Sequence, residues 1–293
     1  MFVATLIAVG SLRHEHIEAA RGLIGTAGGT GGEAVWLDEG SAADIAFTGD
    51  MTAVKAALAP LAEKIDFSVQ PVANREKRLL VADMDSTMIT IECIDELADY
   101  AGIKPQIAEV TERAMRGELD FAAALTERVA LLKGLDDGVI DICRKERVRL
   151  TPGARTLVRT LRARGGHAVL VSGGFTRFAE PVGEEIGFNT AIANVLGIED
   201  GKLTGTVDFP IVDAERKRTE LLAHAAELGI AIGNTLAIGD GANDIPMIEA
   251  AGLGIAFHAK EKARAAADAA ISHGDLTAVL YMLGIARADW VEG

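Results

Sequence analysis

Cysteine, positive charge and long apolar runs are all scarce in this chain, and each scarcity excludes something. Its two cysteines, Cys93 and Cys143, form no close metal-binding spacing and call for no disulfide, which fits a reducing compartment. Lys and Arg number 29 against 43 Asp and Glu, a formal net charge of −14 with a pI near 4.9. Such a field repels a nucleic-acid backbone and an anionic membrane surface alike. No apolar run approaches membrane-spanning length, and the opening stretch Met1 to Val9 has no basic region of the secretory kind. The expectation is therefore a cytoplasmic protein with neither nucleic acid nor membrane as partner. None of the six histidines falls within the motifs below, so none receives a role. What is present is a 49% apolar, 25% charged chain of 293 residues, a globular composition with room for one large domain or two smaller ones.

The strongest local signal is Arg78-Leu-Leu-Val-Ala-Asp83-Met-Asp85-Ser-Thr87. An unbroken apolar run from Leu79 to Ala82 suits a parallel strand buried on both faces. It ends in two carboxylates two residues apart, at the strand end where open α/β sheets bind ligands. Two negative charges this close call for a cation, and Mg²⁺ with oxygen ligands is the natural candidate.

Ahead of this strand, residues 1–71 read as a unit of their own. Strands at Phe2–Val9, Glu33–Asp38, Asp44–Thr48 and Ile65–Gln70 alternate with helices at His14–Ile24 and Met51–Lys64, the second capped by Asp50. This βαββαβ order is the ferredoxin-like pattern, and in this position it resembles the amino-acid-sensing ACT domains. The glycine-rich stretch Gly25–Gly32 follows a helix and precedes a strand. That order is the reverse of a phosphate cradle, so it reads as a mobile loop. Pro71–Lys77 reads as a polar linker.

Behind the Asp83 strand, residues 90–149 keep helical spacing throughout (Ile94, Leu97, Ala98, Ala101; Phe121, Leu125, Val129, Leu132) and predict a helical insertion capping the crevice. Strand and helix patterns then alternate: a helix opened by Thr151-Pro152, a strand His167–Val171 ending in Ser172-Gly-Gly174, and a hairpin around Asp200-Gly201 within Ala193–Val207. A helix Ala214–Leu228 carrying Lys217, and a strand Thr235–Ile238 ending in Gly239-Asp240-Gly-Ala-Asn-Asp244, follow. A helix Pro246–Ala251, a strand Leu253–Phe257 and a helix Leu276–Leu283 complete the series. The fold class is α/β: a doubly wound parallel sheet with a helical cap insertion and a small N-terminal α+β domain, divided at residues 1–71 and 72–293.

Taken singly, the chemistry-bearing residues have ordinary readings. A lone Lys on a helix is a solvated charge, a lone Ser after an apolar strand is a turn residue, and Ser172 lacks the G-x-S-x-G elbow because Leu170 holds its first glycine position. Together and in this order, Asp83-x-Asp85, Ser172, Lys217 and Asp240-x-x-x-Asp244 resemble the four motifs of the haloacid dehalogenase superfamily, over about residues 78–285. The resemblance implies Asp83 as nucleophile, Asp85 as general acid and base, and Mg²⁺ held by Asp83, the Asp85 backbone carbonyl and Asp240. It also implies Asp244 and Asn243 behind them, and a phosphoryl site of Ser172, the Gly173 amide and Lys217. The stretches Asp85-Ser-Thr-Met-Ile-Thr-Ile-Glu92, Met115-Arg-Gly-Glu-Leu-Asp-Phe121, Ala124-Leu-x-x-Arg128-Val and Leu131-Leu-x-Gly-Leu135 are similar to those of the phosphoserine phosphatase family. That likeness implies O-phosphoserine as substrate, Glu92 for its ammonium, Arg128 for its carboxylate, Met115 and Phe121 as a screen against water, and a homodimer through the first domain. Two alternatives stay open: a phosphatase of the same superfamily for another small phosphomonoester, and a serine-sensing regulator with a vestigial catalytic domain.

Overall fold

A computed structural model describes residues 1–292, the side chain of Met115 excepted. The first unit has β1 (Phe2–Ile7), α1 (His14–Thr26), β2 (Thr30–Asp38), β3 (Ala42–Thr48), α2 (Met51–Leu58) and β4 (Asp66–Pro71). Its strands lie in the antiparallel order β2-β3-β1-β4. Ala4, Leu6, Ile24, Ile45, Phe47, Val54 and Leu58 are buried between this sheet and the two helices. Asp50 caps α2 as expected, accepting from the amides of Thr52 and Ala53 at 2.8 and 3.2 Å. The glycine-rich stretch differs from its expectation. Gly31 and Gly32 belong to β2 and leave only a three-residue turn after α1, in which Gly29 passes so close that a Cβ would stand 2.9 Å from the Ile24 side chain and 3.2 Å from the Thr48 carbonyl.

The second unit begins with β5 (Leu79–Ala82) and leaves the sheet for four helices, α3 (Cys93–Tyr100), α4 (Lys104–Met115), α5 (Phe121–Leu131) and α6 (Gly138–Arg147). An antiparallel bridge between Ile89 and Leu150 closes this insertion where it leaves and rejoins the core. The chain then runs through α7 (Ala154–Ala163), β6 (His167–Phe175), α8 (Thr176–Ile186), β7 (Thr190–Asn194), the hairpin β8 (Leu196–Glu199) and β9 (Lys202–Val207), and α9 (Ala214–Glu227). It finishes with β10 (Thr235–Gly239), α10 (Ile245–Ala250), β11 (Gly254–Phe257), α11 (Glu261–Ala266), β12 (Ala269–Ile271) and α12 (Ala278–Met282). Two expectations change here. Gly153, at φ +83°, rather than Thr151 precedes α7, its backbone pressed so tightly on Thr277 that a Cβ would sit 2.7 Å from the Thr277 nitrogen. The stretch expected as one strand from Ala193 to Glu199 divides at Val195: β7 joins the main sheet, while β8 pairs only with β9.

All strands but β8 and β9 form one ten-stranded sheet, β2-β3-β1-β4-β12-β11-β10-β5-β6-β7. From β12 to β7 it is parallel, with β5 between β10 and β6. The chain moves from β5 outward through β6 and β7, then returns to the other side at β10. The β5/β10 boundary is thus a topological switch point, where the strand ends open a crevice. Among the described residues no helix is long and apolar enough to cross a membrane.

The segment expected as a polar linker is held firmly. Lys77 is buried and donates to the carbonyls of Asn74 and Gly233, both at 2.7 Å. Arg75 reaches back to Asp44 at 2.5 Å and forward to the Met282 carbonyl at 3.0 Å. Asp66 accepts backbone N–H bonds from Ser272, His273 and Gly274, so β4 and the loop after β12 are tied by charge-assisted bonds as well as by strand pairing.

Candidate active site

Local sequence dictates how the carboxylates reach the crevice. Leu79 to Ala82 are fully buried on both faces of the sheet, and the strand hydrogen bonding ends with the Asp83 amide donating to the Ile238 carbonyl at 3.0 Å. Asp83 therefore leaves β5 pointing across the mouth of β10, and its carboxylate accepts from the Met84 amide at 2.8 Å. The chain then turns sharply through Ser86, whose φ of +54° is left-handed for a residue with a side chain. The Met88 and Ile89 amides both return to the Met84 carbonyl, at 2.8 and 3.0 Å.

Lys217 descends from α9 and is fully buried. Its ammonium lies 2.7 Å from Asp83 Oδ1 and 2.7 Å from Asp244 Oδ1. Burial alone would lower the Lys217 pKa, but the Asp244 and Asp83 carboxylates more than offset it and raise it. Burial, with Asp244 adding to it, pushes the Asp83 carboxyl up, against the pull of Lys217. Both Asp244 oxygens are in use: Oδ1 takes Lys217, and Oδ2 accepts from the Asp240 and Gly241 amides at 3.1 and 2.9 Å. Asp244 thus shapes the loop that carries Asp240. Asp240, half-buried, accepts from Thr87 at 3.2 Å, and burial with Asp244 nearby raises its pKa to about 6.

Asp85 faces the other wall. The Cys93 thiol donates to its Oδ1 at 2.9 Å, and burial, with Glu92 adding to it, lifts its pKa to about 7. On that wall the residues after the apolar part of β6 turn in toward the carboxylates. A Cβ on Gly174 would stand 3.0 Å from Asp85 Oδ2 and 3.0 Å from Ser172 Oγ; one on Gly173 would stand 2.9 Å from the Phe121 ring. Only glycines let that loop pass so close. Ser172 is buried, and its Oγ accepts from the Gly174 amide at 2.9 Å, leaving its own proton to donate into the crevice.

The structure thus brings Asp83, Asp85, Ser172, Gly173, Lys217, Asp240, Asp244 and Phe121 together. Phe121 is the first residue of α5, oriented by Asp120, which caps that helix by accepting from the Ala123 amide at 2.7 Å. Glu92 is exposed and accepts from Ser86 at 2.7 Å. Arg128 is half-buried, and burial lowers its pKa against the opposing charges of Asp95, Glu92 and Asp85. Among the described residues it meets no carboxylate within 4.0 Å. Asn243 lies over Gly241 and makes no side-chain hydrogen bond among the described residues. The Met115 side chain lies outside the described residues.

Three residues emerge that sequence reasoning passed over. Cys93 holds Asp85, and Thr87 holds Asp240. Asn194, buried at the end of β7, donates to the Gly173 carbonyl at 2.8 Å and accepts from the Val212 amide at 2.8 Å, fixing the glycine loop. A lone amide closing a short strand was the one available signal for it.

The site suits a divalent cation with hard oxygen ligands. Carboxylate oxygens of Asp83, Asp240 and Asp244 lie within 4.8 Å of one another, and all three face the same crevice. With Lys217 and two backbone amides already on Asp244, Asp83 and Asp240 keep more free lone pairs with which to ligate.

The model of one family, haloacid dehalogenase-like hydrolases, matches residues 80–249. A phosphoserine phosphatase of Streptomyces coelicolor is 49% identical over 240 residues, covering 80% of this chain and 58% of that protein, so the chain spans little more than half of that relative's length. Among solved structures, a probable phosphoserine phosphatase from Vibrio cholerae superposes with a TM-score of 0.79 at 35% identity, covering 98% of this chain and 87% of that one. A phosphoserine phosphatase determined as a phospho-aspartyl intermediate analogue superposes at 0.65 with 40% identity, covering 70% of this chain and 98% of that one.

Proposed function

Since the chain belongs to the haloacid dehalogenase-like hydrolases, we propose that it is a Mg²⁺-dependent phosphoserine phosphatase of the cytoplasm, hydrolysing O-phospho-L-serine to L-serine and phosphate. The observation that carries this reading is the buried Asp83–Lys217–Asp244 chain at the β5 end, facing Asp85 and the Ser172–Gly174 loop.

In this reading Asp83 attacks phosphorus and forms an aspartyl phosphate, dividing a very slow hydrolysis into two easier steps. Mg²⁺, held by Asp83, the Asp85 backbone carbonyl and Asp240, would offset charge between nucleophile and phosphate when bound. Ser172 Oγ–H, the Gly173 N–H and the Lys217 ammonium supply donors for the phosphoryl oxygens, in a site fixed before substrate arrives. Lys217 stays charged because two carboxylates hold its proton, and its contact with Asp83 aligns the attacking oxygen. Asp85, with a pKa of about 7, is partly protonated near neutrality. It gives that proton to the departing serine oxygen and then takes one from the water that cleaves the aspartyl phosphate.

The cap supplies selection. Arg128, without a carboxylate partner among the described residues, offers its planar fork to the substrate carboxylate, while Glu92 meets the ammonium. Phe121 screens the crevice from water. We assign residues 72–293 to the phosphatase domain, with the cap at about 90–149, and residues 1–71 to a regulatory or dimerisation domain. Its separate apolar core supports that division. β2, the edge of the ten-stranded sheet that belongs to this first unit, is where a second copy would add.

Phosphate release from O-phospho-L-serine, O-phosphohomoserine and a sugar phosphate, each with and without Mg²⁺, tests the reading. Mg²⁺-dependent release favouring phosphoserine is expected. Preference for another ester would move the substrate assignment, and no release from any would favour the regulator.

A further inference from the structure

Outside the crevice, on the far side of the cap hinge, lies a cavity of about 440 Å³ whose rim carries Arg144, Lys145, Arg149 and Arg155 against one acid, Glu185. Val148, Leu150 and Val182 complete its lining. Four cations to one anion is the reverse of the chain as a whole, which carries −14. Like charges gathered around a concavity repel unless something negative joins them.

Neighbouring arginines show what satisfied side chains look like in this fold. Arg147 pairs with Glu96 and Asp99 at 3.0 and 3.2 Å, and Arg177 with Asp137 and Asp141 at 3.3 and 2.9 Å. The cavity's cations are less well served. The Nε atoms of Arg144 and Arg155 are buried and have no hydrogen-bond partner among the described residues, and buried donors left unpaired are uncommon. Arg155 does reach Glu185, and Arg144 reaches Asp141 only at 3.7 Å. Lys145 and Arg149 are exposed, and among the described residues neither pairs with a carboxylate. The last turn of α6 accounts for one or two cations beside its free carbonyls, but Arg149 and Arg155 lie beyond that helix.

We infer that this cavity is a second anion site, built for a small molecule carrying a phosphate-type dianion on an apolar body. Guanidinium forks suit tetrahedral dianions, and the volume and the three apolar lining residues fit more than a bare ion. The site sits on the cap hinge. The Arg149 carbonyl accepts from the Thr90 amide at 3.0 Å, and the Thr151 amide donates to the Met88 carbonyl at 3.0 Å, a few residues after Asp85. An anion held between Arg149, Arg155 and the end of α6 braces the point where the cap joins the core. The inference does not use the catalytic reading and stands if that reading fails.

Phenylphosphonate is the probe, because it has the dianion and an apolar ring but no ester bond to cleave. Amide NMR shifts of the full chain report two places separately: residues 172–174 and 240–244 in the crevice, and residues 144–150 and 182–185 at the cavity. Saturable shifts are expected at the cavity, weakened by about tenfold or more in Lys145→Ala/Arg149→Ala, while the crevice shifts stay unchanged. Glu185→Gln, which removes the one rim acid, should act oppositely and tighten binding. Methylphosphonate should bind more weakly; equal binding would make the site one for the dianion alone. Absence of cavity shifts up to about 10 mM, on the ordinary scale of weak ligands, would overturn the inference. So would the same affinity in wild type and both variants.

Discussion

The strand ends and the cap place charge in opposite ways. At the strand ends, Lys217 is fully buried and bonded at 2.7 Å to two carboxylates, and every oxygen of Asp244 has a donor. In the cap, Glu92 is exposed and Arg128 stands half-buried without a carboxylate within 4.0 Å among the described residues. A buried ion network is costly to form and pins its members to one geometry. A cap charge with no opposite charge beside it keeps most of its bonding capacity for something that arrives. The difference teaches that reaction and selection are divided here between a region complete in itself and a region completed by its ligand.

The division breaks most severely at Asp83. Asp83→Asn keeps the shape but removes the nucleophile, and turnover of every phosphomonoester should fall by on the order of 10⁴-fold or more. Acid-quench trapping should find no phosphoenzyme; normal trapping would assign the nucleophile elsewhere.

Asp85→Asn should cost about 10²–10⁴-fold for phosphoserine, the usual span for proton transfer. An aryl phosphate, whose leaving group needs little protonation, should still phosphorylate Asp83, and the intermediate should accumulate. Unchanged turnover with the wild-type burst would remove Asp85 from proton transfer.

Lys217→Met separates the network's stability from its chemistry. Two carboxylates would be left buried without their cation, a loss of about 3–5 kcal/mol near neutral pH. Asp83, already pushed up by burial, would then titrate further above the unfolded value of about 3.9. Because the proton binds more tightly in the folded state, the penalty is largest above the folded pKa and shrinks as the pH falls toward that unfolded value. Urea midpoints of metal-free wild type and variant at pH 8 and pH 5 check this. A deficit that does not change with pH would mean that Lys217 stabilises through packing alone.

The same contrast governs what was legible in the sequence. Leu79–Ala82 followed by two aspartates can be read directly, since a doubly buried strand must be apolar and charge at its end must face a ligand. The βαββαβ unit was equally open to reading, by alternation and by the Asp50 cap. Elements that break their own pattern were not. α8 carries Pro181 inside it, β12 has only three residues, and β7 is half-buried at a sheet edge. Asn194 and Cys93 act through contacts distant in space or chemically quiet, and no spacing announces them. Arg75 and Lys77 looked like solvated linker charges because their partners, Asp44 and the Gly233 carbonyl, lie far along the chain. In the cap, a half-buried Arg and an exposed Glu carry no signal of their own; only resemblance to a known family suggested their roles.

Arg128 therefore decides whether the division holds. The measurement is kcat/KM for O-phospho-L-serine and for p-nitrophenyl phosphate, in wild type and in folded Arg128→Ala. If Arg128 takes the substrate carboxylate, the variant loses a charge-assisted contact of about 1.5–3 kcal/mol, roughly 10–150-fold, on phosphoserine alone. The aryl phosphate, which has no carboxylate, should lose little. An equal loss on both substrates would contradict the account, because it would put Arg128 in the phosphoryl machinery, and no loss on either would leave it an ordinary solvated charge.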